Sequence, residues 1–148
     1  MSTASFEASA QRHLSDAGFL FADSRLPNAD HLCGFSAECS LKALVVEGLN
    51  GREQGGYVYA SNSTQRMKLH LGGTNSAWSA IAALAGGRQE PEVMALLTDD
   101  PFDDWDVSDR YSDGAHITVP TVQRHLEGAE RAARALEAVR ISNMSGAI

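Results

Sequence analysis

Between Trp105 and His116 the chain reads WDVSDRYSDGAH, and this stretch gathers the side chains best suited to chemistry. Arg110 and His116 bracket five residues, with Tyr111 and Asp113 between them. A guanidinium holds two phosphate oxygens at once, and an imidazole gives or takes a proton near neutral pH. If the stretch folds back, or a second copy faces it, the two meet over one phosphate. That chemistry suits cleavage of RNA through its own 2′-hydroxyl, with no metal. Seven aspartates fall between Asp99 and Asp113, but not with the alternate spacing, Gly and distant Glu of a calcium loop. They read as caps and counter-charges for Arg110. His13, His31, His70, His116 and His125 lack zinc-ligand spacing, so neither a metal nor a cofactor is expected. His13 and His125 read as surface or packing residues within helices. Gly72-Gly73 and Gly86-Gly87 do not match a phosphate-binding loop, and no Gly-x-Ser-x-Gly occurs.

The stretch itself has neither strand alternation nor helical period, and reads as a loop between helices. Phe6, Ala10, Leu14, Ala17 and Leu20 or Phe21 predict a first helix from about Thr3 to Asp23. Pro27 is expected to stop it and Asn28 to cap a second, running to about Leu49. That helix carries a stripe of mostly small residues, Ala29, Leu32, Cys33, Ser36, Ala37, Ser40, Leu41, Leu44 and Val45, which lets a neighbouring helix come close. Glu38 and Lys42 read as a solvated pair one turn apart. Residues 51–73 form a long connection in which Tyr57-Val58-Tyr59 fits a short extended piece. Thr74 or Asn75 would cap a third helix to about Ala85, and Pro91 would open a short fourth to about Leu97. Thr118 and Pro120 then start a last helix to about Ser142, buried through Val122, Leu126, Ala129, Ala133, Leu136 and Val139 or Arg140. Arg131, Arg134 and Arg140 alternate with Glu127, Glu130 and Glu137 on its outer, solvated face.

A length of 148 residues suits one domain with one core, spanning 1–148. Ala-rich segments with few β-branched runs indicate an all-α class, an antiparallel bundle of four to five helices. A net charge of −7 argues against broad, salt-driven binding to duplex nucleic acid, though a local basic site is compatible with it. Cys33 and Cys39, six residues apart on a helix, point about 240° away from each other and read as small apolar residues in a reducing compartment. No bilayer-length apolar run or leader pattern occurs, so no membrane association and a cytoplasmic location are expected.

The second-helix segment HLCGFSAECSLKAL, residues 31–44, resembles the HEPN family of small helical proteins from prokaryotic toxin–antitoxin and defence systems. The similarity continues in the first helix, in Asp109-Arg110-Tyr111-Ser112-Asp113 and in the final helix, while residues 51–87 do not take part. The resemblance implies a helical bundle that forms a homodimer. Many members of the family are metal-independent ribonucleases whose signature is Arg, four to six residues, then His, with two copies meeting at a dimer cleft. Arg110 and His116 satisfy that spacing and would be the catalytic pair, with Asp109 or Asp113 orienting one of them. Tyr111 departs from the small polar residue that active members carry after the Arg. Arg-Tyr, a small residue, then Asp resembles instead a branch that pairs with small nucleotidyltransferases and is not in general nucleolytic. Two readings therefore stand. One is a binding module in which Arg110, Tyr111 and Asp113 engage a nucleotide, RNA or a partner nucleotidyltransferase or antitoxin. The other is an endoribonuclease toxin using Arg110 and His116.

Overall fold

The computed structural model describes residues 5–73, 76–87 and 90–145. The described residues are mostly helical, as the composition predicts, with one two-stranded sheet. Helix α1, Phe6–Ala22, starts where the Ser5 hydroxyl accepts a hydrogen bond from the Ala8 N–H. A start at Thr3 lies outside the described residues. Helix α2, Leu26–Gly48, begins before the expected Asn28 cap, with Pro27 inside its first turn. The correction follows from backbone chemistry, because the first turn has no intrahelical use for the N–H that proline lacks.

Helix α2 is the central element. It buries the expected Ala29, Cys33, Ala37, Leu41 and Leu44, and also Asp30, Gly34 and Ala43, so its burial extends beyond a single stripe. The Ser36 hydroxyl donates to the Ala10 carbonyl at 2.8 Å, while Phe6 lies against Lys42, so α1 and α2 run antiparallel. Helix α5, Val119–Ser145, packs on another side of α2. Asp30 meets His125 near the start of both helices and Gly48 meets Val139 near the end of both, so these two run parallel. The intervening chain carries α5 back to the start of α2. Arg140 ties the bundle at the far end: its guanidinium bonds both Glu7 on α1 and Glu47 on α2, the latter at 2.8 and 2.9 Å. Its expected role on a solvated face is thereby corrected.

Strands β1, Arg52–Gln54, and β2, Tyr57–Tyr59, pair antiparallel with Arg52 opposite Tyr59. Gly55 and Gly56, with φ of +61° and +85°, form the two-residue turn between them, a geometry that favours glycine. Val58, Leu69 and Leu71 fasten this connection to the core. Helix α3, Ala77–Gly87, buries Trp78, Ile81 and Ala85. Its expected caps, Thr74 and Asn75, lie outside the described residues. Helix α4, Pro91–Leu96, follows, and the Trp78 indole donates to the Leu97 carbonyl at 3.2 Å. Among the described residues no helix is long and apolar enough to cross a membrane.

Candidate functional site

Three contacts place the chain from Asp104 to His116 at the start of α2. The first is Trp105, whose indole N–H donates to the Asp30 carbonyl at 3.0 Å. Its ring fills the space left by Gly34, where an added Cβ would lie only 2.0 Å from the ring. The small residues of α2 therefore admit a tryptophan here as well as neighbouring helices. The second is a buried polar chain. His125 Nδ1 lies 2.5 Å from Asp30 Oδ1 and Nε2 lies 2.8 Å from Asp104 Oδ1, with the ring stacked on Phe102. Arg124 pairs with the other oxygen of Asp104. Burial disfavours a charged His125, but hydrogen bonds and charges from Asp30 and Asp104 outweigh it and raise its pKa. Asp104 is lowered despite its own desolvation, by His125 and then Arg124. The third contact is Gly114, at φ +74°, where an added Cβ would lie 2.4 Å from the Pro27 ring.

Within the stretch, Val107–Tyr111 forms a 3-10 turn where the sequence predicts irregular loop. The Asp106 carboxylate caps it by accepting from the Ser108 N–H at 2.8 Å. The nearby aspartates are caps and counter-charges as expected, but Arg110 is not the partner. Asp104 serves His125 and Arg124, Asp109 lies 3.3 Å from His116 Nε2, and Asp113 accepts from the Ala115 N–H at 3.0 Å. Among the described residues no carboxylate reaches ion-pairing distance of Arg110. Its guanidinium instead lies 4.7 Å over the ring of Tyr111, which is 78% exposed.

Arg110 also lines a small cleft of about 110 Å³ between the turn and α2, with Asp30, His31, Trp105 and Asp109 among the other walls. His31 packs edge-on against Phe35 at 4.4 Å and stacks near Trp105. Burial, then the charge of Arg110, lowers its pKa, so the ring is neutral near pH 7. The monomer thus brings Arg110 to His31 on one cleft, while His116, exposed and paired with Asp109, is not part of that wall. Tyr111 and Asp113 are exposed and do not line it.

Sequence reasoning missed His31, Asp30 and the Asp30–His125–Asp104 chain. One signal was present: His125 falls between Val122 and Ala129 at the spacing of the buried face of α5, and a core imidazole requires polar partners. Glu38 is also corrected. Its half-buried carboxylate accepts from the Leu71 N–H at 2.9 Å rather than pairing with Lys42, and burial raises its pKa. Cys33 is buried and its thiol is pushed up to about 12 by desolvation; both cysteines are free thiols. No protein-family model matches the chain, and neither does any of the curated proteins or solved structures compared with it.

Proposed function

We propose that this chain is a HEPN-like helical module that binds the phosphate of a nucleotide or RNA through Arg110, without cleaving it. A homodimer and a nucleotidyltransferase or antitoxin partner, in a toxin–antitoxin or defence setting, belong to the same proposal through the family resemblance. The observation that carries the binding role is the state of Arg110. In an acidic turn it has no carboxylate at ion-pairing distance among the described residues, it rests on an exposed tyrosine, and it borders a cleft with a neutral histidine. A guanidinium so placed retains its donors for a phosphate, and Tyr111 offers a ring to a base. The cleft accommodates a phosphate group rather than a whole nucleotide, leaving the base on the exposed side.

Titration of ¹⁵N-labelled protein with ATP tests this reading. Amide shifts are expected at Arg110, Tyr111 and Ser112, with affinity falling roughly tenfold or more in Arg110→Ala, the loss of one charge-assisted contact. Absence of shifts in this turn overturns it.

The nuclease reading retains one specific support, the His116–Asp109 contact at 3.3 Å, which would orient an imidazole against the residue that precedes Arg110. In that reading a second copy completes the site, His116 moves the proton and Arg110 neutralises the charge on phosphorus. Metal-free incubation with total RNA separates the two. Degradation that is lost in both Arg110→Ala and His116→Ala selects the nuclease, and no degradation by the wild type removes it.

A further inference from the structure

The sequence contains only two lysines, Lys42 and Lys68, and both line the same cleft. This cleft, of about 230 Å³, lies between the β-hairpin and the segment that follows it, with Arg66, His70 and Tyr57 completing its polar wall. No Asp or Glu contributes to that wall. For a chain with 19 acidic residues against 12 basic ones, this is a concentrated reversal of sign. Two carboxylates flank the cleft in sequence or space: Glu38 accepts from the Leu71 N–H and feels the charges of Lys42 and His70 without reaching ion-pairing distance, and Glu53 accepts from the Gly56 N–H at 3.0 Å. Among the described residues neither lysine nor Arg66 makes an ion pair. Lys42 instead lies 5.7 Å from the Phe6 ring, and Arg66 lies 4.5 Å over the ring of Tyr57, which remains 50% exposed. Arg52 lies in the same way over Tyr59 on the neighbouring strand.

We propose that this hairpin cleft binds a nucleoside phosphate, either free or as a unit of single-stranded RNA. The cations supply the phosphate contacts, and the Tyr57–Arg66 stack supplies a flat surface for the base. Cations that track phosphates beside an aromatic platform are the general means of holding single strands, and stacking tolerates any base. The cleft is separate from the Arg110 site, since Lys42 and Asp30 lie twelve residues apart on α2, about 18 Å along its axis. It stands whether or not Arg110 binds a ligand.

The test is a titration of ¹⁵N-labelled protein with ATP and, separately, with a single-stranded RNA oligonucleotide at about 50 mM salt. Saturable amide shifts are expected at Gly56, Tyr57 and the 66–70 segment for at least one probe, and comparison of the two identifies free nucleotide or RNA as the source. The Arg66→Ala/Lys68→Ala double variant, altered only at exposed side chains, should weaken binding about tenfold or more and reduce its salt dependence. Tyr57→Ala should weaken it roughly tenfold through the lost stack. Shifts confined to the 105–116 turn would overturn this proposal while supporting the Arg110 site. No saturable shift at the hairpin with either probe at about 1 mM would overturn it outright. Equal competition by inorganic triphosphate and ATP, with Tyr57→Ala silent, would overturn the nucleoside assignment.

Discussion

His125 is shut off from solvent with Asp30 on one ring nitrogen and Asp104 on the other, so its proton belongs to the stability of the fold. Its folded pKa is raised above the ordinary 6.5. The stabilisation it provides is therefore fully present below about pH 6.5 and is lost as pH rises through the folded value. Asp104 is lowered from 3.8, so its share is present above about pH 4 and is lost as pH falls through its folded value. Urea denaturation between pH 4 and pH 9 should accordingly show maximal stability on the acidic side of neutrality, and a flat alkaline limb would contradict the assignment. Asp30→Ala leaves a buried imidazole without its main counter-charge. Breaking such a pair costs about 3–5 kcal/mol, readable as a shift of the denaturation midpoint at pH 6. At the same scale, Arg110 differs from Arg124 and Arg140 in having no carboxylate among the described residues. Those two hold elements together, whereas Arg110 presents its charge outward.

The 3-10 turn is positioned by a tryptophan seated on a glycine. Gly34→Ala should displace the Trp105 ring and cost about 1–3 kcal/mol through overpacking, with a change in the near-ultraviolet tryptophan signal. An unchanged signal and midpoint would refute that contact. The five helices were legible because their apolar residues recur at three and four, and Thr118 with Pro120 marked the start of α5 well. The turn was not, since five residues of 3-10 helix are held by caps and by distant Trp105 and Pro27 contacts that leave no periodic trace. Asp30 escaped for a related reason. It lies beside the small-residue stripe, and only the approach of α5 reveals that this flank is interior. Arg140 looked like one more charge on a mixed face because Glu7 and Glu47 lie far away in sequence.

Across the whole molecule, the parallel placement of α2 and α5 sets the Arg110 turn near one end of the bundle and the Arg140 clamp at the other. The acidic total conceals this uneven layout of charge, and the hairpin cleft joins residues separated by 26 positions, Lys42 and Lys68, so composition alone does not disclose it. The same cleft has a consequence for chemical labelling. Both lysines of the sequence line one pocket, so an acylating reagent becomes a reporter of that pocket's occupancy. Exposed Lys68 should be acylated ahead of half-buried Lys42, and mass spectrometry should show ATP or RNA slowing that reaction. Acetylation of both lysines would remove two positive charges from a single surface, turning a modification normally spread over a protein into a switch for one site.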